Sequence, residues 1–379
     1  MAAELAARAS PVTGQAAGPA AASPAARAWL WGTVALTAGA IITAIALAPP
    51  ATAPASAALA YLLFAGSSAH VASTAWFYTV PQVRGYMGQH RARYAWTPLA
   101  LIAGAGAIAA ALPPAVLTWL LLPYFGWQFF HYQKQNLGLA SLAAAAHGVT
   151  GLRPAERRAL LAAGLAGTAG LLARPRLLQL RVDPHLAAAY PLAAAAFAFA
   201  VTAGLVSLAR RPAGQRPAGF CVTYACALTF TLPAFIFSSP YAAVAGMTIA
   251  HGLQYLLLMG LVAVGGPRPG PAGTAGSRLL PLAALTSIAL AGGAILSVAS
   301  DLQESAPLTR SLFGCFLGAV MAHFVIDAGL WRLRDRFPRL FLESRVPYLV
   351  PGRGTASVGR DPSSPASDPS VADIRSERA

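Results

Sequence analysis

The chain has 379 residues, of which 56% are hydrophobic and only 10% are charged, and its formal net charge is +15. Soluble globular proteins carry about 25% charged residues, so this composition excludes an ordinary soluble domain. The positive charge does not indicate a nucleic-acid partner, because the arginines lie in short loops between apolar runs and form no continuous basic stripe.

Apolar runs of about 20 residues recur along the chain, and this is the length that crosses a bilayer. They predict an all-α, polytopic membrane helix bundle of about ten spans. The predicted spans are 28–48, 55–79, 97–112, 115–138, 159–173, 186–209, 219–238, 241–264, 279–299 and 312–331. The transmembrane domain is therefore predicted at 28–335. Disordered tails are predicted at 1–27 and 353–379, with an interfacial segment at 336–352.

The basic residues are divided unevenly between the two sides of this map. If both termini are cytoplasmic, the arginines left outside are Arg174, Arg176, Arg181 and Arg310, and the other basic residues, apart from Lys134 in the fourth span, lie inside. Lysine and arginine favour cytoplasmic loops of membrane proteins. The pattern therefore predicts cytoplasmic termini and a multi-pass protein of a bacterial inner membrane.

Four of the seven histidines fall within predicted spans that run in the same direction. They are His70, His131, His251 and His323. At about 1.5 Å rise per residue, all four fall in one slab between the bilayer centre and its cytoplasmic third. Polar neighbours three or four residues away share a helix face with each histidine, as in GWQFFHYQKQNLG at 126–138 and AHFVIDAGLWR at 322–332. Polar faces turned toward lipid would leave donors and acceptors unsatisfied, so we expect them to face one another.

Imidazole and carboxylate are common ligands of transition-metal ions, so these faces predict a metal site. The predicted ligands are His70, His131, His251, His323 and Asp327, with His90 and His147 as further candidates. Lys134, Gln135 and Tyr255 are predicted to act on the substrate or to support the ligands. The alternative is that each histidine only links helices by hydrogen bonds.

Lys134 and Asp327 are unusual because a charge at membrane depth is costly and normally has a partner. They are the only lysine of the chain and the only acidic residue within a predicted span. One interpretation pairs them with each other or joins them in a proton relay. Others have Lys134 reach the headgroup region, and Asp327 contact an arginine such as Arg332.

Single histidines on several helices, all toward the cytoplasmic side, resemble the layout of membrane di-iron desaturases and hydroxylases. The layout is also similar to that of the bacterial Brp/Blh carotenoid-cleaving oxygenases. The HxxxH and HxxHH boxes of the desaturases and hydroxylases are absent from this sequence, so no residue role is carried over. The resemblance implies a membrane oxygenase that acts on a lipophilic molecule.

The sequence thus predicts a membrane-embedded, metal-dependent oxidoreductase or oxygenase for a lipophilic or amphipathic small molecule. The expected cofactor is non-haem iron, as one ion or two, with zinc, copper and haem as alternatives. An electron-donor protein is an expected partner, beside the bilayer itself. The first alternative function is a proton-coupled transporter that uses Lys134, Asp327 and the histidines. The second is a bis-histidine haem protein.

Overall fold

The computed structural model describes residues 22–50, 53–265, 276–304 and 306–350, without the side chains of 276–278. The predicted C-terminal tail, 353–379, lies outside these residues, as does most of the predicted N-terminal tail, 1–27. Its last residues belong to the first helix, which begins at Pro24 after the cap residue Ser23.

The described part of the chain is helical and contains no strand. Its α-helices are α1 (Pro24–Ala46), α2 (Ala57–Phe64), α3 (His70–Ser73), α4 (Pro81–Gln89), α5 (Thr97–Ala111), α6 (Pro114–Ala146), α7 (Pro154–Ala173), α8 (Ala189–Ala209), α9 (Ala218–Leu228), α10 (Pro233–Ile236), α11 (Gly246–Val264), α12 (Gly276–Ser300), α13 (Pro307–Leu330) and α14 (Arg336–Arg345). Wider π-helical turns precede three of them, at Ala65–Ala69, Ala92–Trp96 and Tyr241–Ala245.

Six helices of the described chain are long and apolar enough to cross a membrane. They are Pro24–Ala46, Ala92–Ala111, Ala189–Ala209, Tyr241–Val264, Leu279–Ser300 and Pro307–Leu330. The prediction of an all-helical membrane protein is confirmed at this level, whereas ten spans and cytoplasmic termini stay predictions. The run predicted at 55–79 is helical throughout from Ala57 to Thr79, although its hydrogen-bonding pattern changes from α to π, back to α and then to 3-10, whereas the run predicted at 219–238 is interrupted at 229–232.

Proline and glycine explain much of this architecture. Proline occupies the first turn of α6, α7 and α13, where its missing N–H is no loss because that group has no partner inside the helix. Helix α13 packs along α5, and a side chain at Gly314 or Gly318 would collide with the α5 backbone. Small residues at this crossing allow the close approach that is typical of membrane helices.

A buried ion pair joins α7 to the residues that follow α8. The Arg211 guanidinium donates to both carboxylate oxygens of Glu156, each over 2.6 Å, and both side chains are fully buried. Arg211 also donates to the carbonyl oxygens of Thr150 and Gly151. Because charge and hydrogen-bonding capacity are both satisfied, this pair fixes the connection between the two helices.

Candidate metal centre

Four histidines from four separate segments of the chain meet inside the bundle. His70 begins α3, directly after the first π-helical turn, and His131, His251 and His323 lie within α6, α11 and α13. Their rings form a closed circuit, with centroid distances of 4.9 Å from His70 to His251, 5.2 Å from His251 to His131, 5.3 Å from His131 to His323 and 5.0 Å from His323 to His70. We call these four residues the histidine ring. The convergence predicted from helix faces is therefore present.

The side chains of the histidine ring are buried, except for that of His131. His251 is fully buried, His70 and His323 are 3% and 2% exposed, and His131 is partly exposed. Within the described chain, both ring nitrogens of His70 and His251, and Nε2 of His131 and His323, are buried without a hydrogen bond of good geometry. Buried polar atoms are nearly always satisfied. The Gly66 and Ser67 backbone interacts with His70, but so many buried nitrogens without a well-formed hydrogen bond are consistent with a bound ion.

The spacing of the histidine ring fits a bound metal ion. A histidine nitrogen binds zinc at about 2.0–2.1 Å, so the centroid of a bound imidazole lies roughly 3.2 Å from the ion. Four such centroids around one ion stand about 4.5 Å apart in a square and about 5.2 Å apart in a tetrahedron. The observed distances between adjacent rings, 4.9 to 5.3 Å, lie near this interval, although within the described chain no set of ligand atoms within 4.8 Å of one another contains all four of these histidines.

Two sets of ligand atoms within the described residues are close enough for one ion. In each set the atoms lie within 4.8 Å of one another: the first set is His70, His251 and His323, and the second is His131, His323 and Asp327. His323 belongs to both sets. Its Nε2 lies 3.6 Å from Oδ2 of Asp327, one helical turn away on α13.

A hydrogen-bond network orients His323 and Asp327. Nδ1 of His323 lies 2.6 Å from the Thr74 hydroxyl, and that hydroxyl lies 3.0 Å from the Tyr255 hydroxyl. Tyr255 in turn donates to Oδ1 of Asp327 over 3.0 Å. The Trp331 ring packs edge-on against Tyr255. Hydrogen bonds of this kind fix the orientation of metal-ligating histidines and carboxylates in proteins.

A second network holds the α11 side of the histidine ring. The Gln135 amide on α6 donates to the His251 carbonyl over 3.0 Å and to Oε1 of Gln254 over 2.9 Å. Gln254 donates to the Thr37 hydroxyl on α1 over 2.7 Å. The predicted residue Gln135 therefore positions the backbone of a candidate ligand, and its side chain is shared between helices rather than facing lipid.

Glycine contacts explain how the helices come close enough for this arrangement. A Cβ on Gly252 would overlap the backbone of Gly66, and one on Gly66 would overlap the backbone of Ile249. Gly66 lies in the π-helical turn before His70, and Gly252 directly follows His251. The two backbones thus cross in contact beside these two ligands. Gly293 on α12 approaches Ala69 in the same way.

The structure does not bring three of the predicted residues into the histidine ring. His90 is exposed, and its ring packs against Tyr86. His147 caps the end of α6 and lies against Gly219. Lys134 is exposed on α6, and it forms no ion pair among the described residues, Asp327 included.

Two residues of the site had no predicted role, although both adjoin predicted ligands in the sequence. The Tyr132 ring stacks on His251 at a centroid distance of 4.0 Å, and Phe324 stacks on His131 at 4.3 Å. Tyr132 also accepts a hydrogen bond from Gln128. Tyr132 follows His131 and Phe324 follows His323 in the sequence, and this adjacency could have indicated a role in the site. Ordinary helix packing explains aromatic neighbours equally well.

No known protein family, no curated protein and no solved structure matches this chain.

Proposed function

We propose that this chain is a membrane-embedded metalloenzyme, an oxidoreductase that acts on a lipophilic or amphipathic molecule. The observation that carries the proposal is the histidine ring, with its free nitrogens at the spacing of a metal-bound set. Imidazole is the commonest protein ligand of transition-metal ions. Hydrogen bonds between helices alone do not account for the ring, because most of these nitrogens are not hydrogen-bonded to the neighbouring helices.

One iron ion per chain is the proposed cofactor. Iron suits a mixed set of imidazole and carboxylate ligands, and Asp327 lies beside the histidine ring. Both ligand sets contain His323, whose Nδ1 already contacts Thr74, so one nitrogen of His323 is left for an ion. Zinc and copper are the alternatives, since imidazole suits them also.

A bound iron ion with an open coordination position would bind and activate dioxygen. We therefore propose an oxygenase or oxidase. His131 is the one partly exposed member of the histidine ring, and it supplies a side from which a substrate reaches the centre. The electrons for such a reaction imply a donor protein as partner. A bacterial inner membrane is the proposed location.

Two other functions fit less well. A bis-histidine haem needs a slot for the macrocycle between two axial rings, whereas the four rings here are packed side by side at about 5 Å. A proton-coupled transporter is favoured by the helix interrupted at 229–232, since discontinuous helices are typical of transporters. It would use Lys134 with Asp327, and these two residues form no ion pair in the described structure.

Metal analysis of the detergent-purified protein tests the proposal. After loading with Fe(II), Zn(II) or Cu(II) in parallel, we expect about one ion per chain, with Cu(II) and Zn(II) bound more tightly than Fe(II) as for other nitrogen and oxygen sites, and less than about 0.2 ion in His251→Ala. His185→Ala is the matched control, because the His185 side chain is 90% exposed and belongs to neither ligand set. The proposal fails if the wild-type protein retains none of the three ions, or if His251→Ala binds as much as His185→Ala. Thermal unfolding of each variant establishes that it is folded.

A further inference from the structure

One face of α6 leads from the surface of the bundle to the histidine ring. Trp127, His131, Lys134 and Gly138 are spaced by four, three and four residues, so they share one side of the helix. Trp127 is 39% exposed, Lys134 and Gly138 are exposed, and His131 is partly exposed. We call these four residues the α6 portal.

Trp127 and Gly138 are the apolar members of the α6 portal, and the space beside Gly138 is open. A Cβ on Gly138 would meet no atom within 4 Å. On the other side of His131, the Trp127 ring packs against Phe324, and Phe324 also stacks on His131. These two aromatic rings supply an apolar wall beside the one candidate ligand that reaches the surface.

Lys134 is the feature of the α6 portal that apolar packing does not explain. It is the only lysine in the sequence, it is exposed, and it has no carboxylate partner among the described residues. An exposed ammonium without a counter-ion on this face is available to an anionic group. A ligand with an anionic end satisfies Lys134 while its chain covers Trp127.

We propose that the α6 portal binds a long-chain amphiphile whose single carboxylate contacts Lys134 and whose first carbons lie beside His131. This inference rests on the proposed function and names its substrate class. Lys134 follows His131 by three residues, which is about 4.5 Å along the helix axis. The chemistry therefore takes place close to the carboxylate end of the chain.

The charge of the α6 portal favours a carboxylate over a phosphate headgroup. Lys134 is its only permanently charged residue, and no arginine stands beside it on this face to form the two-pronged contact that phosphate favours. A single ammonium matches a single negative charge. A bilayer phospholipid would also place its glycerol, rather than the start of an acyl chain, next to His131.

Electron paramagnetic resonance with 5-doxyl-stearic acid and its methyl ester tests this proposal. The protein is held metal-free in phosphatidylcholine nanodiscs, so that the result does not depend on the metal site. We expect wild-type protein to immobilise the acid about fivefold more strongly than the ester, the gain of one lysine near a membrane surface. Lys134→Gln lowers binding of the acid to that of the ester, and Lys134→Arg retains most of it.

Two controls separate this site from general attraction of anions. Arg158→Gln removes an exposed cation elsewhere, and we expect it to leave binding of the acid unchanged. The metal content of Lys134→Gln, measured separately, stays at the wild-type value. Equal immobilisation of acid and ester overturns the proposal, and so does an equal loss in Arg158→Gln. Displacement of the acid by phosphatidylglycerol at equal mole fraction also overturns it, because that result assigns Lys134 to bilayer headgroups.

Discussion

Tyr255 on α11 donates a hydrogen bond to Asp327 on α13 over 3.0 Å, and the Trp331 side chain also interacts with this carboxylate. The same hydroxyl contacts Thr74, which contacts His323. One phenol therefore connects three segments of the chain around a buried acid. The orientation of the acid beside the histidine ring depends on this connection.

Removal of that hydroxyl tests the network. In Tyr255→Phe, Asp327 keeps its burial but loses its Tyr255 donor, and a lost hydrogen bond to a buried polar group costs about 1–3 kcal/mol. We expect a lower melting temperature in detergent and weaker binding of the metal ion. Tyr61→Phe is the control, because Tyr61 is 74% exposed, and it should leave both quantities unchanged. Wild-type metal affinity in Tyr255→Phe would contradict a positioning role for Tyr255.

The glycine crossing beside the histidine ring predicts a second effect. In Gly252→Ala the new methyl group meets the Gly66 backbone, so α11 and the π-helical turn must separate. Overpacking of this kind costs about 1–3 kcal/mol. We expect Gly252→Ala to lose stability and metal together, as measured by thermal unfolding and metal analysis.

Gly260→Ala is the matched control for that variant. It lies on the same helix, and a Cβ there meets no atom within 4 Å. Alanine is a better helix former than glycine, so Gly260→Ala should be neutral or slightly stabilising. If both variants lose metal to the same extent, the crossing at Gly252 has no special part in forming the site.

The ion pair between Glu156 and Arg211 predicts an effect on stability alone. Replacing one partner leaves a buried charge without its counterion, which costs about 3–5 kcal/mol. Glu156→Gln should therefore unfold at a much lower temperature, while the folded fraction still binds its ion, because Glu156 is not a member of either ligand set. Glu343→Gln, which breaks a partly exposed pair with Arg339, should cost less than about 1 kcal/mol.

His147 at the end of α6 predicts a dependence of stability on pH. Burial lowers the pKa of His147 below its usual value. The unfolded chain therefore binds the proton more readily, and stability falls as the pH drops through about 6.5, the value of an unperturbed histidine. Melting temperatures at pH 7.5 and 5.5 measure this loss.

In His147→Gln the difference between those two melting temperatures should be smaller than in the wild-type protein. The histidine ring is present in both proteins, so it contributes equally to both differences. His185→Gln serves as control, since the His185 side chain is 90% exposed, and it should keep the wild-type difference. A wild-type difference in His147→Gln would show that His147 is not responsible.

Much of the candidate site was predictable because helical periodicity and shared depth are local properties of the sequence. Spacings of three and four residues identified the polar faces of His131, His251 and His323. The position of His70 within its predicted span placed it at the same depth in the bilayer. Gln135 and Tyr255 were found on those faces. Their partners were not, because contacts such as Gln135 with Gln254 depend on helix rotation, which the faces constrain only loosely.

Other features had no local signal. Glu156 and Arg211 are 55 residues apart, and each resembles an ordinary charge near the end of a helix. The π-helical turn at 65–69 and the interruption at 229–232 lie within predominantly apolar runs, so composition alone predicts continuous α-helical spans. His90 and His147 were included as candidate ligands by residue type, but side-chain direction at the ends of helices is not fixed by spacing.

The contact between Thr74 and His323 joins residues that are 249 positions apart. A ribosome delivers these segments at about 5–20 residues per second. The last imidazole thus enters the bilayer at least ten seconds after the first. No nascent intermediate holds the full set of candidate ligands, so under the proposed function an ion would be acquired only once α13 has docked. Truncated chains that end before α13, once extracted from the membrane, should therefore contain no bound metal.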